Sequence, residues 1–336
     1  MAEYEMTGVP PARAEAPGTR YLIIKALGGF GNRILSATTG LVLAELTGRT
    51  PLIDWRDGMY LPTGINAYPL LFDSPPLLDP ATFDQRTDVV PAIWSGRLDQ
   101  HPVQVLWEHF RDDYNNPFIY HKLCIDLARP EVDQELAVFW SYLPKMARIR
   151  RHMSRAPQFH GKRSDDVTRL VLSRYFRPNE RIGREVDKLF VGRRGRIIGV
   201  HVRYTDRKVS LERIIAAVAR LKKRVPDAAI FLATDNQGVQ DFFQREFSNL
   251  LVIEKVLGND AYSLHEDLKM SDPQREAENA LIDMWALSSC DWLVHSRHSS
   301  FSVTAAMIGG IPRSRQIDVD RFNPRVVLKR WVQTWA

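Results

Sequence analysis

The sequence predicts an α/β chain built from two Rossmann-like halves, each a parallel sheet covered by helices. The stretch "YLIIKALGGFGNRILSATTGLVLAELTGRTPLIDW", Tyr21 to Trp55, reads as an apolar strand, a glycine-bearing turn, a helix and a second strand ending at Asp54. The second half of the chain alternates strand and helix patterns without a break, which right-handed crossovers convert into a parallel sheet buried on both faces. At 336 residues the chain exceeds one comfortable core and fits two domains of ordinary size.

Residues 1–19 are a proline-bearing lead-in without an apolar core, expected to be disordered and unlike a signal peptide. After the opening β-α-β unit, residues 56–130 are rich in Pro, Asp, Asn and aromatics, as in "LPTGINAYPLLFDSPPLLDP", and read as an irregular insertion. Residues 131–155 read as helix. "DDVTRLVLSRYFRPNERIGREVDKLF" gives a helix that stops before Pro178 and another that starts soon after it. The halves therefore join near 177–195, with domains over 20–177 and 178–318 and a tail over 319–336. In the second half "RIIGVHVR", "AIFLATD", "LLVIEK" and "DWLVHS" are strands, separated by helix patterns and followed by the helix "SSFSVTAAMIG".

Two cysteines far apart in sequence, Cys124 and Cys290, suggest neither a disulfide framework nor a cysteine zinc site, and fit a reducing, cytoplasmic setting. No run has the apolar length of a membrane helix. The net charge of +6, from 46 Lys+Arg against 40 Asp+Glu, is scattered in pieces such as "RIRRHMSR". It suits an anionic ligand, but a solvated face explains it as well and no nucleic-acid partner is expected.

A strand feeding glycine-rich backbone into a helix start is a ready anion site, because unpaired N–H groups and the positive helix end face one way. Gly29, Gly31 and Asp54 satisfy most of the dinucleotide fingerprint, yet its third glycine is Ile34 here. Two readings stay open on this loop. It belongs to an NAD(P)-dependent oxidoreductase that uses Asp54 for the ribose, or the glycines serve only a tight turn with positive φ. The strand "RIIGVHVRYTDRK" carries His201, Arg203, Asp206, Arg207 and Lys208 at its carboxyl end, where open α/β sheets bind ligands. Alternation puts His201 and Arg203 on one side, where a guanidinium facing the crevice is a phosphate clamp, or else half of a structural ion pair with an Asp of the next strand.

The set "GGFGNR", "TGRTPLIDW", "HVRYTDRK", "LATDN" and "ALIDMWALSSCDWLVHSRHSSFS" resembles the α1,6-fucosyltransferases, the bacterial nodulation chitooligosaccharide fucosyltransferases and eukaryotic core fucosyltransferases. The resemblance runs over most of residues 20–310 and weakens between 60 and 175. It implies a GT-B-like fold, two Rossmann-like domains facing a cleft, with GDP-fucose bound by the C-terminal domain and an oligosaccharide acceptor on the N-terminal side. It further implies that Arg203 clamps the β-phosphate and that His201 and Asp283 read the guanine. Ser299 or Ser300 would donate to the phosphate, and Gly29 and Gly31 would let backbone approach it. Asp206 and Asp235 would orient Arg203 and the acceptor side, with a plain N-cap of the helix starting at Asn236 as the other reading of Asp235. Glu212 falls where the resemblance places a carboxylate and is the candidate general base, Asp206 the reserve. A first-turn Glu also simply favours a helix start. One extra residue after Asp206 leaves open whether Arg207 or Lys208 stands beside the acceptor.

Activity without a metal is expected. "IDVD", with Asp318 and Asp320, has the letters of a metal motif but lies past the alternating elements, where a solvated turn is the simpler reading. His295 and His298 lack a carboxylate-rich helix, and "SSFS" lacks the strained turn of a hydrolase nucleophile. A non-catalytic nucleotide-binding module is the remaining alternative. The acceptor groove is expected on the 56–130 insertion, where Trp94, Trp107 and Trp140 offer faces to sugars or to the core.

Overall fold

The computed structural model describes residues 18–113, 116–204, 209–258 and 272–320, together with a few positions beyond 320. Most of the lead-in, and Asp206, Arg207 and Lys208, lie outside the described residues.

The opening unit forms as the pattern predicts: β1 (Tyr21–Lys25), α1 (Phe30–Thr47) and β2 (Thr50–Asp54). Gly48 ends α1 in left-handed backbone, φ 61°, which costs glycine nothing and a β-carbon much. Almost all of α1 is buried, because it packs on β1 and β2 and is covered by later helices. The insertion supplies α2 (Tyr68–Leu71), β3 (Phe72–Asp73), β4 (Val89–Val90) and α3 (Pro102–His109), linked by 3-10 turns.

Residues 131–155 depart from expectation. They form β5 (Leu136–Trp140) and then α4 (Met146–Arg155). The run "LAVFW" is buried at every position, and a short uninterrupted apolar run has no period that separates a strand from a buried helix. Among the described residues the first sheet has the order β2-β1-β5-β4, all parallel, so this overlooked strand lies directly beside β1.

The connection runs through α5 (Ser164–Tyr175), β6 (Arg177–Pro178) and α6 (Glu180–Phe190), with β6 paired antiparallel to β3. The second half follows as β7 (Ile197–Val202), α7 (Leu211–Arg224), β8 (Ala229–Thr234), α8 (Gln237–Glu246), β9 (Leu250–Leu251), α9 (Pro273–Ser288), β10 (Trp292–His295), α10 (Ser300–Ile308) and β11 (Gln316–Asp318). Its described strands are parallel in the order β11-β10-β7-β8-β9. The edge strand β11 corrects half of the reading of "IDVD" as a solvated turn: Ile317 and Asp318 lie in the strand, while Val319 and Asp320 do form a turn. Asp318 pairs in register with His295, and its carboxylate accepts the backbone N–H groups of Arg297 and Asp320, each at 3.1 Å.

Strand order reverses at β7, between β8 and β10, and at β1, between β2 and β5. Crevices for ligands open at the carboxyl ends of strands at such points. The two halves share their packing: one apolar cluster joins Leu22 and Ile34 of the first half to Val171 of α5 and to Leu281 and Ala305 of the second. No helix among the described residues is long and apolar enough to cross a membrane.

Candidate active site

The two switch points are brought face to face by one close approach, α1 against α10. A β-carbon on Gly31 would stand 2.4 Å from both the Ser300 carbonyl carbon and the Phe301 nitrogen, and Thr304 Oγ1 donates to the Gly31 carbonyl at 3.2 Å. The first turns of the two helices therefore lie side by side. Neither first turn holds an acidic residue, and neither Gly29 nor Ser299 caps its helix with a side-chain hydrogen bond. Two positive helix ends meet there without a carboxylate of their own, which favours a bound anion.

The glycines of "GGFG" divide the work. Gly28 adopts φ 73°, and the Tyr142 ring lies 3.0 Å from where its β-carbon would stand. Gly29 is the extended N-cap of α1. The space that Gly31 leaves is filled by the α10 backbone. Arg33 locks this loop from behind: it is buried, donates from Nε to the Gly28 carbonyl at 2.8 Å and pairs with Asp57 at 2.8 Å. Its guanidinium lies about 5 Å from the Trp55 and Tyr60 ring centres. Tyr60 in turn stacks on Phe30 at 3.8 Å and accepts the Phe30 N–H at 2.8 Å.

This arrangement removes the dinucleotide reading. Asp54 is only 3% exposed and is held by Lys25 at 2.8 Å and Arg56 at 2.9 Å. Burial alone would raise its pKa, but the Lys25 charge and the Arg56 hydrogen bond outweigh that and bring it down to about 2. Arg56 also bridges to Asp84 at 2.8 Å, so a ribose could engage Asp54 only by breaking a buried four-charge cluster.

Across the junction, His201 is buried near the end of β7 with its ring stacked on Phe301 at 5.2 Å. Burial, reinforced by His295, Arg203 and Lys255, pushes its pKa down to about 3, so it is neutral at physiological pH. Its Nδ1 has no hydrogen-bond partner among the described residues. Arg203 directly follows β7, and its charge acts on the buried His201 of the second half and on the buried Tyr60 of the first. Asp235 directly follows β8 and accepts the Tyr204 N–H at 2.8 Å, fixing the backbone immediately after Arg203. It is not a helix cap: the cap of α8 is Asn236, which accepts the Val239 N–H at 3.0 Å. Asp283, buried on α9, pairs with Lys255 through Oδ2, while Oδ1 has no partner among the described residues. Burial outweighs Lys255 and leaves the Asp283 pKa raised. Ser299 is the N-cap of α10 and Ser300 its first residue, both half-buried at the facing helix start.

The nodulation protein Z (NodZ) family model matches residues 151–331, from within α4 to the tail. The chain belongs to that family. It is 24% identical over 311 residues to nodulation protein Z of Azorhizobium caulinodans, covering 83% of this chain and 85% of the relative. To nodulation protein Z of Sinorhizobium fredii it is 23% identical over 338 residues, covering 93% and 97%. A crystal structure of NodZ α-1,6-fucosyltransferase soaked with GDP-fucose superposes with a TM-score of 0.66 at 22% identity, covering 91% of this chain and 97% of that one. The likeness carries the fold, which is of the GT-B type.

In this family member the structure gathers Arg203, His201, Asp235, Asp283, Ser299, Ser300 and the glycine loop at one junction. Glu212 is exposed in the first turn of α7, whose cap Ser210 accepts the Arg213 N–H at 3.4 Å. Trp94 and Trp140 are spent in the core, with indole N–H groups on the Leu123 and Ala26 carbonyls at 2.9 and 3.1 Å. Trp107 stays exposed beside Arg111. Four residues escaped the sequence reading: Gly28, Arg33, Tyr60 and Lys255. A lysine closing the expected strand "LLVIEK" was a legible signal for the last. Gly28 and Arg33 lie within the quoted "GGFGNR" but were not singled out there, and nothing local marks Tyr60, whose partner Phe30 stands 30 residues away.

Proposed function

We propose that this chain is an inverting glycosyltransferase that moves fucose from GDP-fucose to a hydroxyl of an oligosaccharide, O6 of an N-acetylglucosamine unit. The observation that carries it is the convergence of Arg203 with the first turns of α1 and α10 at the facing carboxyl ends of two parallel sheets. Membership of the NodZ family, and the solved NodZ α-1,6-fucosyltransferase soaked with GDP-fucose, support this donor.

The chemistry follows from charge. As the bond between the anomeric carbon and the phosphate oxygen breaks, negative charge builds on the diphosphate. Arg203 offers two parallel N–H donors to it, the Ser299 and Ser300 hydroxyls add theirs, and the two helix ends stand behind them. These groups balance the leaving GDP, so no metal is required in this reading. Neutral His201 and the free acceptor of Asp283 suit the guanine edge, which presents an N1–H and an amine. The acceptor hydroxyl attacks the opposite face of the sugar and gives up its proton to a carboxylate, Glu212 in this proposal and Asp206 in reserve.

Calorimetry with GDP and NAD, alongside transfer assays, tests donor site and base together. Wild type and Glu212→Gln should both bind GDP and neither should bind NAD, while Glu212→Gln loses about 10²–10⁴-fold in turnover. Transfer by Glu212→Gln near the wild-type rate would shift the role to Asp206, checked with Asp206→Asn. Tight NAD binding would overturn the donor assignment.

A further inference from the structure

Lys255 has no role in the chemistry above, yet it stands at the nucleobase end of the site. It lies after β9, its side chain is 10% exposed, and its partner Asp283 is 5% exposed. Buried opposite charges hold each other, and removing one partner leaves the other stranded. The ion pair engages only one carboxylate oxygen. Asp283 Oδ1 and His201 Nδ1 remain buried without hydrogen-bond partners among the described residues. A buried polar atom left unpaired has lost its water without compensation, so a site that keeps two of them is shaped for a ligand that brings the missing partners.

We propose, on the donor-site reading above, that Lys255 is a specificity-determining residue for the nucleobase: it holds Asp283 as a carboxylate, so that Oδ1 only accepts hydrogen bonds and selects guanine over adenine. Guanine offers two adjacent donors, N1–H and the exocyclic amine, which a carboxylate accepts. Adenine offers an amine donor beside a bare N1 acceptor, and that pair suits a protonated carboxyl, which donates and accepts. The protonation state of one buried group thus decides which purine fits.

The surroundings of Asp283 set the direction. Burial and the Asp235 carboxylate at the end of β8 push its pKa up, and Lys255 pulls it down. Neutral His201 faces the same region from β7. On α9 itself, Glu276 and Glu278 precede Asp283, and Glu278 is taken up by Arg181 of α6 at 2.8 Å. Without Lys255 only the influences that favour protonation, burial and the Asp235 carboxylate, remain, so the acid limb of GDP binding moves to still higher pH.

The test is calorimetry of GDP and ADP against wild type, Lys255→Met, Lys255→Arg and Asp283→Asn across a pH series. At about pH 6 the preference of Lys255→Met for GDP over ADP should fall by about tenfold or more and recover toward the wild-type value by about pH 9. Lys255→Arg should keep the wild-type profile, and Asp283→Asn should show no such pH dependence. A GDP preference that is unchanged in Lys255→Met, or reduced equally at every pH, overturns the proposal and leaves the donor site standing. A wild-type protein that does not bind GDP overturns the donor site itself. Should Lys255→Met fail to fold, the double variant with Asp283→Asn removes the stranded charge; a GDP preference in it that still varies with pH overturns the proposal too.

Discussion

Arg203→Lys is expected to fold as the wild type does and to transfer fucose about 10²–10³-fold more slowly, a loss of about 2.7–4 kcal/mol of transition-state stabilisation. Fold should survive because Arg203 sits just past β7, on backbone that Asp235 fixes through the Tyr204 N–H at 2.8 Å, and that bond does not involve the guanidinium. Rate should not survive. A lysine keeps the charge but delivers it as a point on a flexible stem, without two parallel donors for a phosphate whose charge grows as the glycosidic bond breaks. Thermal melts and steady-state turnover measured on the same preparation check both halves of the expectation. Near-wild-type turnover would remove Arg203 from the clamp.

Gly31→Ala should cost about 3 kcal/mol of stability, at the upper end of what overpacking does, and weaken GDP binding with it. The added carbon would meet backbone on α10, at 2.4 Å to two atoms, and backbone cannot rotate aside as a side-chain tip can. The helices must separate, and the two positive helix ends separate with them. Gly183 in α6 is the control, since nothing lies within 4 Å of its added carbon. There Gly→Ala should stabilise by about 0.5–1 kcal/mol, as expected in a helix interior. Denaturant titrations of the two variants, with GDP affinity for the first, decide the matter. A Gly31→Ala protein as stable as the wild type would mean that the α1–α10 contact is not what holds the junction.

The second half was legible because its strands and helices alternate at distinct periods, and because two polar residues at the end of a buried strand, His201 and Arg203, demand a partner. Asp283, Ser299 and Ser300 became site candidates only through the family resemblance, since each alone reads as an ordinary helix residue. β5 was missed because "LAVFW" is buried on all sides and therefore without period, and β11 because three half-buried residues resemble a turn. The glycine loop was ambiguous on its own pattern, which fits most of a dinucleotide fingerprint, and only the resemblance pointed it to a nucleotide sugar; that Gly31 meets α10, about 270 residues later, is a contact no local pattern encodes. A shorter separation hid the role of Arg33, whose ion pair with Asp57, 24 residues on, and place between Trp55 and Tyr60 exist only once the insertion folds back over α1.

Whether this junction transfers fucose from GDP-fucose is decided by mass spectrometry of a chitooligosaccharide incubated with the protein and GDP-fucose. The expected product is heavier by one deoxyhexose, linked at O6 of an N-acetylglucosamine unit, with one GDP released for each sugar transferred. An acceptor that stays unmodified while the same protein binds GDP tightly would contradict it, and would leave the site a nucleotide-binding module without transferase chemistry.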